Sequence, residues 1–366
     1  MFERHARQVA LPGIGPEGQD RLSRARAVIV GCGALGTTAA DLLTRAGVGS
    51  IALIDRDVVE ISNLQRQTLF NERDALLGRP KAEAAREALL RVAPTVSIDS
   101  HVADLTPMNA LQLLASRTPG TSGMVGIDCT DNFETRYLIN DACVSAGIPL
   151  IYGAAVGALG MNMTILPGQS ACLRCVFEDP PRPGAAPTCE TAGVLGPVAA
   201  LVASRQAAEA IKLLTGAAAA DPCLRSVDLW SNEERALDLR SLGPRADCPC
   251  CGQRRFAFLQ GAHRTLSAVI CTRDGGGVQI RPGSTGHATS AAPSPAPVTL
   301  EALAARLGDS GDFRVESGLL RGFLHYEQDD AGRALRLTVF PDLRAVIRGT
   351  DDIVRARAIY ARYIGV

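Results

Sequence analysis

The residues able to do chemistry fall in a few short stretches. G-C-G-A-L-G at 31–36 sets Gly31, Gly33 and Gly36 in the pattern G-x-G-x-x-G. Between a strand and a helix, such a turn offers backbone N–H groups and a helix N-terminus to a phosphate. Alone it fits NAD, FAD, ATP or a plain tight turn. Asp55, at the end of S-I-A-L-I-D, falls about twenty residues further on, where a dinucleotide fold places the acid that bonds a ribose. The plain alternative is an exposed carboxylate at a strand end. The residues downstream of the acidic pair Asp55 and Asp57 depart from a dehydrogenase: Asn63, Arg66 and Lys81 supply an amide and two cations, suited to a polyphosphate that develops charge as it is cut. A nicotinamide has no use for them. D-C-T-D-N at 128–132 brings Asp131 to the same edge, where a carboxylate would hold Mg2+ against a triphosphate. Asn132 is open between a ligand contact and a helix N-cap.

The cysteines make a second group. Cys172 with Cys175 and Cys248 with Cys251 are two C-x-x-C pairs, the donor set of a closed tetrahedral zinc site. Their wide separation would pin the end of a domain to its middle. Cys250 lies inside the second pair and leaves open which thiol ligates. Cys189, in P-T-C-E-T-A-G-V-L-G-P, precedes an apolar helix, and a helix N-terminus lowers a thiol's pKa. A buried inert thiol is the other reading. Cys32, Cys129, Cys143, Cys223 and Cys271 read as packing residues.

These stretches need a framework to bring them together. Alternating patterns, A-V-I-V before the glycine turn, S-I-A-L-I-D, V-S-I-D-S-H-V and G-M-V-G-I-D, each followed by a helical run, predict an α/β fold, a doubly wound Rossmann-like, mostly parallel sheet. Ligands of such sheets sit at the carboxyl ends of the strands. Residues 142–173 carry no charge, yet Pro149, Pro167 and several glycines divide them into two buried strands joined by a turn, not a membrane span. Residues 283–297, G-S-T-G-H-A-T-S-A-A-P-S-P-A-P, are a low-complexity linker. The expected organisation is a nucleotide-binding domain with a zinc-stabilised extension over 1–262, a strand region and linker over 263–297, and a small α/β domain over 298–366.

Of 366 residues, 38 are basic and 38 acidic, so no global field favours nucleic acid or an anionic membrane. The opening M-F-E-R-H-A-R-Q lacks the apolar run of a secretory signal, which makes the cytoplasm the default compartment and thiols the expected state of the eleven cysteines.

R-H-A-R-Q, G-C-G-A-L-G, D-R-D-V-V-E-I-S-N-L-Q-R-Q, G-R-P-K, D-C-T-D-N, the two C-x-x-C pairs and T-C-E-T-A-G-V-L-G-P occur in one order over about residues 3–260. In that order they resemble the ThiF/MoeB/HesA family, bacterial relatives of ubiquitin-activating enzymes. The resemblance implies an adenylyltransferase that uses MgATP to activate the C-terminal glycine carboxylate of a small ubiquitin-like sulfur carrier, ending in Gly-Gly, for molybdopterin, thiamine or thiolation chemistry. It implies Asp55 on the ribose with Asp57 in support. Asn63, Arg66, Gln67 and Lys81 would be on the nucleotide and Asp131 on Mg2+. Arg7 would reach the nucleotide of the other subunit in a homodimer. Cys189 would either join the carrier through sulfur or stand aside for an external persulfide donor. Residues 262–366 depart from the rhodanese domain some relatives carry. The competing readings are a tRNA-directed carboxylate-activating dehydratase of the same fold, an NAD-dependent oxidoreductase, and a zinc-stabilised scaffold without catalysis.

Overall fold

The computed structural model describes residues 3–117, 120–181, 192–216, 219–262, 277–281 and 299–364, with 267–270 as backbone. The chain divides into two compact units, Met1–His263 and Arg264–Val366.

The first unit is built on an eight-stranded sheet in the order β3-β2-β1-β4-β5-β6-β7-β8. β1 (Arg26–Val30), β2 (Ser50–Asp55), β3 (Ser97–Val102), β4 (Met124–Asp128) and β5 (Leu150–Val156) run parallel. β6 (Leu159–Ile165), β7 (Cys223–Asp228) and β8 (Glu233–Asp238) turn back antiparallel. The uncharged stretch 142–173 thus includes the hairpin of β5 and β6. Every residue of β1, β2 and β4 is buried, as expected of parallel strands covered on both faces. Period-two alternation sends Ala27, Ile29, Ile51 and Leu53 into one core, packed on helices α3 (Ala34–Ala46), α5 (Lys81–Val92) and α9 (Gly196–Thr215). Val28, Val30, Ala52 and Ile54 enter the opposite core with α6 (Ala110–Ala115) and α7 (Phe133–Ala146). Two short helices open the chain, α1 (Ala6–Val9) and α2 (Gly15–Ser23); α4 (Glu72–Leu76) and α8 (Leu173–Val176) complete this unit's described helices. None of the described helices is long and apolar enough to cross a membrane.

The second unit is a six-stranded sheet, antiparallel throughout, in the order β11-β12-β13-β14-β10-β9. β9 (Ser267–Ile270) and β10 (Gly277–Ile280) precede the low-complexity segment, whose residues 283–297 lie outside the described ones. β11 (Gly311–Glu316), β12 (Leu319–Gln328), β13 (Ala334–Val339) and β14 (Ala345–Arg348) come after it. The strands expected between 263 and 297 therefore belong to the same sheet as those after the linker. Helices α10 (Leu300–Arg306) and α11 (Ile353–Tyr363) cover one face, closing a core of Leu303, Leu324, Leu337, Ile347, Ile359 and neighbours. Thr299 and Asp352 cap them by accepting from the backbone N–H groups of Ala302 and of Val354 and Arg355.

Candidate active site and candidate metal centre

The glycine turn follows β1 and opens α3 at the carboxyl edge of the parallel sheet. Gly31 has φ +90°, a left-handed conformation that favours glycine, and a Cβ there would stand 2.7 Å from the Cys129 carbonyl oxygen. A Cβ on Gly36 would stand 1.8 Å from the Gly31 oxygen, so helix and turn touch backbone to backbone. Gly33 is the N-cap of α3 and differs: a Cβ on it would meet only Gln67 Nε2, at 3.9 Å. The space before α3 is open to an anionic ligand to which α3's first N–H groups can donate. Gln67 is 4% exposed, and among the described residues its Oε1 has no hydrogen-bond partner.

At the end of β2, Asp55 is 8% exposed and both its oxygens accept from backbone, Oδ2 from Cys32 N–H at 2.6 Å and Oδ1 from Asp57 N–H at 2.7 Å. The carboxylate is thereby locked between the glycine turn and its own strand end. Burial raises its pKa, and Lys81 works against that rise. Lys81 opens α5, donates its backbone N–H to the Asp57 carbonyl at 2.8 Å, and brings Nζ to 3.4 Å from Asp57 Oδ2. Burial alone would lower its pKa, but Asp57, Asp55 and Asp131 hold the ammonium above its ordinary 10.5. The lysine is a fixed positive charge among acids.

Asp131 lies just beyond β4, exposed at the edge and close enough to Lys81 and Arg56 to act on both. Asn132 is an N-cap: its side chain accepts from Thr135 N–H at 2.8 Å and starts α7. Asn63 is 9% exposed and its Oδ1 accepts from Glu60 N–H at 3.0 Å, closing the turn that begins the N-L-Q-R-Q segment. Arg66 donates from Nη1 to the Ser62 carbonyl at 2.9 Å and lies beside Gly196, the first residue of α9. Arg7 is not brought to this group. It lies exposed on α1, next to Gln8, whose Nε2 bonds Ala46 at the far end of α3. Thirteen helical residues, about 20 Å, separate that end from the glycine turn. Cys189 lies outside the described residues.

Two residues at this edge escaped the sequence reading. Arg56 donates from Nη1 to Asp104 Oδ1 at 3.3 Å and stands 3.7 Å from Asp57. Arg136, on α7, donates to the Thr130 carbonyl at 2.7 Å from Nη2 and so braces the loop that carries Asp131. Arg56 was visible as a cation directly after the ribose-type acid. Arg136 carried no such signal, being one more arginine in a helical run.

On the other side of the sheet, the Sγ atoms of Cys172, Cys175, Cys248 and Cys251 lie within 4.8 Å of one another. Individual spacings are 3.7 Å for Cys172 to Cys248, 3.9 Å for Cys172 to Cys175 and 3.3 Å for Cys175 to Cys251. Four thiolates at tetrahedral zinc would sit about 3.8 Å apart. Cys250 Sγ accepts from Asn140 Nδ2 at 3.2 Å and is not one of the four clustered thiols. Asn140 Oδ1 accepts from Leu173 N–H at 3.0 Å, and Asp141 Oδ2 from Phe258 N–H at 2.9 Å. Helix α7 therefore grips both halves of the cysteine module while its N-terminus adjoins Asp131.

The ThiF family model matches residues 5–250. A sulfur carrier protein ThiS adenylyltransferase of Bacillus subtilis (strain 168) is 42% identical over 365 residues, all of both chains. The enzyme of the same name from Escherichia coli (strain K12) is 40% identical over 252 residues, 69% of this chain and 95% of its own. The adenylyltransferase and sulfurtransferase MOCS3 of Sus scrofa is 40% identical over 252 residues, 69% of this chain and 53% of its own. Among solved structures, E. coli MccB with ATP superposes with a TM-score of 0.55 at 23% identity, over 64% of this chain and 69% of that one, a likeness of fold.

Proposed function

Because the chain belongs to the ThiF family, we propose that it activates the C-terminal glycine carboxylate of a small ubiquitin-like sulfur carrier as an acyl adenylate, with ATP consumed and pyrophosphate released. The observation that carries this reading is the cluster of Asp55, Asp57, Lys81 and Asp131 at the sheet edge beside the glycine turn. A hydride-transfer enzyme has no need of a buried lysine held charged among three carboxylates there.

A carboxylate oxygen of the carrier attacks the α-phosphorus; the bond to the bridging oxygen of pyrophosphate breaks, and pyrophosphate leaves with that electron pair. No side-chain nucleophile is required, so catalysis is positioning and charge stabilisation. Asp55 receives the ribose, the turn from Gly31 to Gly36 and the start of α3 receive phosphate, and Lys81, Arg66, Asn63 and Gln67 surround the triphosphate. The orphan Gln67 acceptor inside this pocket suits a ligand hydroxyl or a bound water. Asp131 is the exposed carboxylate fitted to hold Mg2+, whose contribution is to offset phosphate charge. The cysteine spacings fit Zn2+ held by Cys172, Cys175, Cys248 and Cys251 as a closed structural site. Arg7, remote from its own pocket, would serve the pocket of a second copy in a homodimer. A separate persulfide donor completes the sulfur transfer, with or without Cys189.

ATP–pyrophosphate exchange by the full chain, with and without a carrier ending in Gly-Gly, tests the reading. Carrier-dependent exchange is expected. ATP binding without exchange for any carrier would overturn it.

A further inference from the structure

Arg56 follows the ribose acid directly, and the fold gives it a defined neighbour. The backbone N–H of Ala103, just past the end of β3, donates to the Asp55 carbonyl at 3.2 Å, so the chain leaving β3 runs beside the end of β2 and delivers Asp104 to Arg56. Asp104 is 5% exposed and accepts from Arg56 Nη1; Asp57 Oδ1 stands at 3.7 Å from Arg56 Nε. Two carboxylates on two edges fix the orientation of the guanidinium, while 26% of the side chain stays open to solvent. The two cations of the site take different oxygens of Asp57, Lys81 using Oδ2 and Arg56 facing Oδ1.

Strand order then assigns the parts of a nucleotide. The phosphate-binding turn follows β1, the ribose acid ends β2, and β3 is the next strand outward. Neighbouring strands lie about 4.8 Å apart, a stride comparable to that from phosphate to sugar and from sugar to base. Beyond the Asp55 end of β2, along the same edge, stand Arg56 and Asp104. A planar, weakly hydrated guanidinium at that point is suited to the face of an aromatic ring.

We propose that Arg56, held in plane by Asp104 and Asp57, is the surface on which the purine base of the nucleotide stacks, and that it sets the enzyme's preference for a purine nucleotide. The inference rests on the nucleotide reading above. It gives Arg56 a role separate from that of Lys81, Arg66 and Asn63, which serve the phosphates.

The test is titration calorimetry on the full chain with ATP and, separately, with inorganic tripolyphosphate, which has phosphates but no base. Arg56→Ala and Arg56→Lys should each weaken ATP about three- to thirtyfold, the range of one cation–ring contact, and leave tripolyphosphate binding as it was. Arg56→Trp, planar but uncharged, should recover most of the ATP affinity. Asp104→Asn, which loosens the guanidinium without removing it, should weaken ATP in the same direction. Far-UV circular dichroism on each variant separates loss of fold from loss of contact, and the Lys and Trp variants, similar in bulk to arginine, carry the test if Ala unfolds. An equal loss of tripolyphosphate would make Arg56 a phosphate ligand and overturn the proposal; a Trp variant no better than Ala would overturn stacking. Wild-type protein that binds no ATP would overturn the nucleotide reading itself, an outcome distinct from a defect confined to the Arg56 variants.

Discussion

Replacing Asn140 by alanine should weaken the cysteine module from the inside. Asn140 is 0% exposed, and its amide bonds Leu173 N–H at 3.0 Å through Oδ1 and Cys250 Sγ at 3.2 Å through Nδ2. The variant leaves the Leu173 N–H buried without an acceptor, at a cost of about 1–3 kcal/mol, and the vacated volume and weak sulfur contact add about 1 kcal/mol. A total near 3 kcal/mol corresponds to roughly 6–12 °C in the thermal midpoint of a unit this size. The single tryptophan, Trp230, is 82% exposed and a poor reporter, so far-UV circular dichroism is the assay of choice, with metal per chain measured in parallel. Because Leu173 lies between Cys172 and Cys175, metal content should fall along with the midpoint. A loss below about 1 kcal/mol with full metal content would refute the argument that α7 clamps this module through Asn140.

Other perturbations read other parts of the site. Lys81→Met should reduce pyrophosphate exchange by about two orders of magnitude, as expected for loss of a charge preorganised for the transition state, and leave the fold in place; unchanged exchange would remove Lys81 from the triphosphate. The raised pKa of Lys81 has a sign: its contribution is fully present below the ordinary 10.5 and is lost as pH rises through the folded-state value above it. The pH profile of ATP binding should therefore show no lysine limb below 10.5, and a Lys81-dependent decline well under that value would contradict the role given to Asp57 and Asp55. Gly36→Ala should wreck the turn, since its Cβ would lie 1.8 Å from the Gly31 oxygen, whereas Gly33→Ala should fold, its nearest atom standing at 3.9 Å. Loss of ATP affinity in the folded Gly33 variant, read by calorimetry, would report direct contact with the ligand. Removing metal with a chelator, or replacing Cys251 by serine, should lower the thermal midpoint; an unchanged midpoint would make the four thiols dispensable.

Much of the architecture was legible in the chain because its signals are local. Runs such as A-V-I-V and S-I-A-L-I-D are buried on both faces and read as parallel strands, and the glycines at 31 and 36 mark a turn that backbone contact requires. The two C-x-x-C pairs announced one four-thiol cluster, since paired spacing places two donors on one short loop whatever the fold around it. Strands without such a signal were missed. β8 is exposed at every position and shows no apolar period; β12 and its partner β11 carry Asp312, Arg314 and Arg321 on one face of the sheet and set Gly311 and Gly322 among the apolar residues of the other, which hides the alternation of Leu320 and Leu324.

The site itself needed the tertiary structure. Sequence distance says nothing of which strand ends adjoin, and it is the order β3-β2-β1-β4 that gathers Asp104, Arg56, Asp55 and Asp131 along one edge. Only packing shows Asn132 capping a helix, Cys250 turned to Asn140, and Arg7 beside the end of α3 remote from the glycine turn. Residue type and spacing determined which groups could react, because those depend on a few neighbouring backbone angles. Which of them meet was decided by burial of two apolar sheet faces, a property of the whole chain.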